Sequence, residues 1–302
     1  MSTIVFAAFD DVALADHLAD RLGVAAGEIE SRRFPDEETY VRLLTPVADC
    51  DVILVGSLDR PDPKLARVVF LADAARDLGA RKVGLVAPYL AYLRQDKRFK
   101  SGEAVTAPSF ARLLSGAFDW LVTVDPHLHR YAALDEIYSV PTTAVHAAPV
   151  VAQWIATRVA RPLVVGPDRE SEQWVAEVAR AARAPYAVFE KARLGDTRVE
   201  LRAPDLAPWR DRQPVLVDDV VSSGGTMIEA LGLLARVGLP AATCVAVHAL
   251  FAGDAQERLL AAGARDVATS DTIRHPSNRF SVLDRLADGV RAVSARTVQG
   301  RI

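Results

Sequence analysis

Short runs of consecutive apolar, mostly β-branched residues recur along the chain. Between them lie longer stretches in which apolar positions return every three or four residues. Asp51–Ser57 (DVILVGS) has the unbroken apolar character of a strand buried on both faces. In the stretch that follows, Leu65, Val68, Val69, Ala72 and Ala75 fall at helical spacing and share one face. Asp62 and Pro63 suit the N-cap and first position of that helix, and Gly79 suits its left-handed end. Lys82–Pro88 and Asp119–Asp125 read as the next strands.

The scheme returns roughly 160 residues later. Pro162–Gly166 is a strand, Glu170–Ala182 a helix, Pro214–Asp219 a strand, Gly225–Val237 a helix and Ala241–Leu250 a strand. Strands alternating with amphipathic helices imply parallel βαβ units with both sheet faces covered. The expected architecture is α/β, with two related domains, 1–147 and 148–302, each a mostly parallel sheet flanked by helices. A last helix over Val282–Ala292 is free to pack on either domain.

Length and composition narrow the chemistry. A chain of 302 residues can bury a sizeable core in each domain. With 36 Lys and Arg against 39 Asp and Glu, no basic surface is available for coating nucleic acid or anionic lipid. The two cysteines, Cys50 and Cys244, can build neither a disulfide framework nor a four-thiolate zinc site. The start of the chain has no basic segment ahead of its apolar run, and its least charged stretch, Val237–Gly253, is broken by Gly238 and Pro240. The expectation is a cytoplasmic protein with no membrane or nucleic-acid partner.

The strongest chemical signal is VLVDDVVSSGGT, Val215–Thr226, followed at once by a helical pattern. An apolar strand ends in Asp218 and Asp219, then runs through Ser222, Ser223, Gly224, Gly225 and Thr226 into a helix. Backbone N–H groups and hydroxyls at a helix N-terminus cradle an anion, and ligands of open parallel sheets bind beyond the carboxyl ends of strands. Carboxylates beside a phosphate cradle make sense when the ligand also carries hydroxyls, or a magnesium ion. A sugar phosphate has that shape. Neither GxxxxGK[ST], HExxH nor GxGxxG occurs in the chain.

This segment resembles the phosphoribosyl-pyrophosphate-binding motif of type I phosphoribosyltransferases. Others, in order, resemble the ribose-phosphate diphosphokinase branch of that fold: FPDEETYVRL (Phe34–Leu43), PYLAYLRQDKRFKSGEAVTA (Pro88–Ala107), VDPHLHR (Val124–Arg130), VVGPDRES (Val164–Ser171) and EKARLG (Glu190–Gly195). The resemblance implies transfer of the diphosphoryl group of ATP to the 1-hydroxyl of ribose 5-phosphate, with Mg²⁺ as cofactor. It assigns Phe34, Asp36, Glu38, Arg94, Gln95 and Asp96 to ATP. Asp218, Asp219 and Ser222–Thr226 go to ribose 5-phosphate. Lys191, Arg193 and His127 become catalytic residues, with His127 and Asp168 near the metal. It also implies a homo-oligomer, dimer or hexamer. Where the family has glycine between the acidic residues of its first motif, this chain has Glu37, which matters only if the position needs a positive φ. Asp168 equally suits a helix N-cap, and both roles can hold together. Two other readings stay open: a phosphoribosyltransferase that consumes phosphoribosyl pyrophosphate, and an inactive regulatory paralogue that binds nucleotide.

Overall fold

A computed structural model describes the backbone of residues 2–194 and 198–299, and the side chains of these except 191–194, 198–200 and 297–299. The chain forms two compact units, one of Met1–His146 with Leu283–Ile302, the other of Ala147–Val282.

The first unit runs β1 (Thr3–Ala7), α1 (Val12–Leu22), β2 (Ala25–Gly27), β3 (Ile29–Arg33), β4 (Thr39–Leu43), β5 (Asp51–Val55), α2 (Asp62–Asp77), β6 (Lys82–Ala87), α3 (Thr106–Ala117), β7 (Trp120–Val124) and β8 (Thr142–Val145). The second unit continues with α4 (Ala148–Arg158), β9 (Pro162–Gly166), α5 (Glu172–Ala182), β10 (Tyr186–Val188), β11 (Glu190–Leu194), β12 (Arg198–Arg202), β13 (Gln213–Val221), α6 (Gly225–Arg236), β14 (Thr243–Ala249), α7 (Ala255–Ala261), β15 (Asp266–Ser270) and β16 (Asn278–Phe280). The chain then returns to the first unit as α8 (Leu283–Gln299), which packs on β7, β8 and α1.

Each unit holds one six-stranded sheet, in the orders β2-β1-β5-β6-β7-β8 and β10-β9-β13-β14-β15-β16. Every pairing within these sheets is parallel, so the two units repeat one topology. Each also carries an antiparallel ribbon, β3-β4 and β11-β12. Burial explains the unbroken apolar runs. Val52, Ile53, Leu54 and Val55 are all buried, as are Val215, Leu216 and Val217 in the other sheet.

The helix after β5 begins one residue earlier than its sequence suggests. Pro61 takes the N-cap and Asp62 is the first helical residue, with its carboxylate engaged by the Tyr92 hydroxyl. Its buried face is Val68, Leu71, Ala72 and Ala75. Gly79, at φ +92°, ends it as expected. The helix expected over Glu170–Ala182 is split, with a 3-10 turn at Arg169–Ser171 preceding α5. On α8 the close approach comes at Gly289, where a Cβ would lie 2.7 Å from Val145 and 2.8 Å from Val122. Any side chain there would lift the helix off the sheet.

Candidate active site

In the second unit, β9 and β13 are parallel neighbours, so the segments leaving their carboxyl ends emerge side by side. Asp168 follows β9, and Asp218 and Asp219 lie near the end of β13. The Asp219 amide donates to Asp218 Oδ1 at 3.0 Å. Burial raises the Asp218 carboxyl well above the ordinary range, and the charges of Asp219 and Asp168 raise it further. The charge of Asp168, at the end of the neighbouring strand, thus reaches Asp218. Asp168 also caps its own turn, its Oδ1 accepting from the Glu170 amide at 3.1 Å.

Beyond β13 the chain turns into α6. Gly224 sits at φ +74°, where a Cβ would meet Leu259 only at ordinary contact distance. Glycine is therefore needed for the backbone angle rather than for room. Gly225 and Thr226 open the helix, and the first-turn N–H groups of a helix have no partner within it. The loop is braced from behind. The Phe251 amide donates to Val221 O and the Ala252 amide to Ser222 O, each at 3.0 Å. Arg258, on α7, reaches Ser223 O at 3.5 Å. Nothing in the helical pattern around Arg258 marked it as a neighbour of this loop.

Lys191 and Arg193 are two positions apart on β11, paired in register with Leu201 and Val199 of β12. They therefore stand on one strand of an antiparallel ribbon and not on a loop between strands. Their side chains, and residues 195–197, lie outside the described residues.

In the first unit, the segments after the neighbouring strands β6 and β7 carry the other candidates. Arg94 is exposed. Gln95 Oε1 accepts from Thr106 Oγ1 at 2.7 Å, which ties it to the start of α3. The Asp96 carboxylate is 5% exposed and pairs with Arg130 Nε at 3.7 Å, while its Oδ2 is buried without a hydrogen-bond partner. Arg130 thus joins the two segments, although no role was expected for it. The His127 and His129 rings stand edge to face, 4.0 Å between centroids. Asp125, buried and at φ +33°, has His146 Nδ1 3.1 Å from its Oδ1. His146 reads from sequence as structural or surface, yet it holds the aspartate of the Asp-x-His segment.

Phe34, Asp36 and Glu38 form the tip of the β3-β4 ribbon. The Phe34 amide donates to Glu38 O at 2.8 Å, the Glu37 amide to Phe34 O at 2.9 Å and the Glu38 amide to Asp36 Oδ1 at 3.3 Å. Glu37 sits at φ +71°, so the position does demand the left-handed conformation. The Arg32 guanidinium lies 4.6 Å from the Phe34 ring centre and 4.4 Å from that of Tyr40. Phe34 keeps 39% of its surface exposed.

A parallel sheet that delivers an acidic pair and a small-residue helix-opening loop to its carboxyl edge has the form in which open α/β proteins bind their ligands. Comparison with known proteins carries this further. Residues 3–117 match the N-terminal domain of ribose phosphate pyrophosphokinase, and residues 133–284 match a phosphoribosyl transferase domain. The ribose-phosphate pyrophosphokinase of Methanopyrus kandleri is 37% identical over 294 residues, covering 96% of this chain and 99% of that one. That of Methanothermobacter thermautotrophicus is 35% identical over 277 residues, covering 91% and 95%. The crystal structure of phosphoribosylpyrophosphate synthetase from Mycobacterium smegmatis superposes with a TM-score of 0.85 at 26% identity, covering 98% and 100%. The chain belongs to the ribose-phosphate pyrophosphokinase family.

Proposed function

We propose that this protein makes 5-phosphoribosyl 1-pyrophosphate and AMP from ATP and ribose 5-phosphate. The 1-hydroxyl oxygen of the sugar bonds to the β-phosphorus of ATP and loses its proton. The bond from that phosphorus to the α–β bridging oxygen breaks, and AMP leaves. The observation that carries the reading is the placing of Asp168 just after β9 and of Asp218 and Asp219 near the end of the neighbouring β13, ahead of a helix-opening loop with Gly224 at positive φ. The Asp218 carboxyl, raised by burial, and its neighbour Asp219 are proposed to hold sugar hydroxyls, while the loop N–H groups take the 5-phosphate.

Phe34, Asp36, Glu38, Arg94, Gln95 and Asp96 are assigned to ATP, the guanidinium of Arg94 suiting phosphate oxygens. Lys191 and Arg193 are assigned to charge that develops as the diphosphoryl group moves. His127 is given a catalytic place beside the ATP phosphates. The donor set suits Mg²⁺. Among the described residues, no three His, Cys, Asp or Glu side chains converge into a cage of protein ligands alone, and Mg²⁺ favours one or two carboxylates together with water and substrate phosphates. Asp168 is the oxygen ligand proposed for it. When bound, the ion draws off negative charge from the phosphoryl oxygens.

Among the described residues no helix is long and apolar enough to cross a membrane. The cytoplasm, where Cys50 and Cys244 stay reduced, is the proposed location. The exposed ring of Phe34 at a ribbon tip supports a homo-oligomer, dimer or hexamer, in which this tip meets a neighbouring copy. The test is AMP release by purified protein given ATP, Mg²⁺ and ribose 5-phosphate. Binding of both substrates without AMP release refutes the assignment and favours a regulatory protein.

A further inference from the structure

At the opposite end of the second sheet lies a cavity of about 480 Å³, lined among others by Trp154 and Arg158 of α4, Gln213 of β13, Arg265, Asp266 of β15 and Arg279 of β16. Gln213 opens the strand that carries Asp218 five residues on. At about 3.3 Å per residue the two ends are separated by roughly 17 Å. A molecule held here does not touch the acidic pair.

Three guanidiniums share this space with a single lining carboxylate, Asp266, leaving two positive charges in excess. The contacts of two of them are to neutral oxygens. Arg265 Nη1 donates to Gln213 Oε1 at 3.2 Å. Arg279 Nη1 donates to Pro276 O at 2.7 Å and to Asn278 O at 3.1 Å. Asp266 Oδ1 is occupied by the Val267 amide at 2.8 Å. Arginine presents a planar fork that matches phosphate oxygens in pairs. The volume falls in the range of small-molecule sites, and Trp154 adds an aromatic wall beside the charge.

We propose that this cavity binds a phosphate-bearing small molecule, separately from the substrates of the reaction. Inorganic phosphate, ribose 5-phosphate and ADP share the chemistry that would be recognised. Titrating each into the full-length protein at fixed ionic strength, with tryptophan emission and calorimetry as readouts, distinguishes inorganic, sugar and nucleotide phosphates. At least one is expected to give a saturable change in emission that Trp154→Phe abolishes. The double variant Arg158→Gln/Arg279→Gln should weaken that binding on the order of 10²-fold, since each charge-assisted contact is worth about tenfold or more. Activity at saturating ATP and ribose 5-phosphate should be unchanged. Arg158→Lys, which keeps the charge and loses the fork, should fall between the two. The proposal is overturned if none of the three probes alters Trp154 emission, or if the double variant binds as the parent does. It is equally overturned if the double variant changes the oligomeric mass, which would make the cavity an interface between copies.

Discussion

Glu37 offers a test in which the sign of an effect, not only its size, is decided by one backbone angle. It holds φ +71° at the tip of the β3-β4 ribbon. An L-residue in the left-handed region costs about 1 to 2 kcal/mol because its Cβ crowds the following carbonyl oxygen. Replacing Glu37 by Ala or by Gly removes the same side chain and the same exposed 3.9 Å pair with Arg33, so those losses cancel between the two variants. Ala keeps the Cβ penalty. Gly sheds it but loses about 0.4 to 1 kcal/mol through the greater freedom of the unfolded chain. At the midpoints of these ranges the Gly variant should be the more stable by about 0.8 kcal/mol. At exposed Asp73, inside α2, the order should reverse, with Gly about 1 kcal/mol less stable than Ala. Urea unfolding of the full-length variants, compared at a common slope, measures both differences. If Ala matches or exceeds Gly at position 37, the left-handed conformation there carries no cost and the reasoning fails.

Lys191→Ala should lower kcat on the order of 10²-fold or more while leaving the KM for ribose 5-phosphate nearly unchanged; a raised KM with intact kcat would make it a binding residue instead. Asp218→Asn with Asp219→Asn should abolish ribose 5-phosphate binding and spare ATP binding, as calorimetry would show. Burial raises the Asp11 carboxyl above its usual 3.8, so the folded state holds that proton more tightly than the unfolded one. The cost to folding then grows as pH rises through the raised value. Asp11→Asn should accordingly stabilise the protein at pH 7 to 8 and lose that advantage near pH 4, followed by thermal unfolding across pH. Burial pushes the Cys244 thiol to about 12, so at pH 8 it should react with a thiol reagent only as fast as the protein unfolds.

Strands β5, β6, β7, β9, β13 and β14 were legible because burial on two faces leaves an unmistakable apolar run, and β9 matches its reading residue for residue. Strand β11 was not. Glu190–Leu194 (EKARL) lacks an apolar face, and it is a strand by its pairing with β12. In the candidate site, the acidic pair and the glycine loop stood out because they are contiguous. Arg258, Arg130 and His146 did not, because each reaches its partner across the fold. Positive φ at Glu37, Tyr92 and Asp125 is equally hidden, since none is a residue type that announces it as glycine does.

The return of α8 to the first unit joins a late segment of the chain to the sheet made first. As the polypeptide leaves the ribosome, the first sheet emerges without the helix that covers β7 and β8, and Gly289 waits behind the whole of Ala147–Val282. Val122 and Val145, which face that glycine, stay uncovered until synthesis has passed Gly289. Synthesis from the N-terminus therefore cannot finish the first unit before the second. A chain cut short ahead of Leu283 would carry an intact second unit beside an exposed apolar sheet, a natural target for chaperones and proteases.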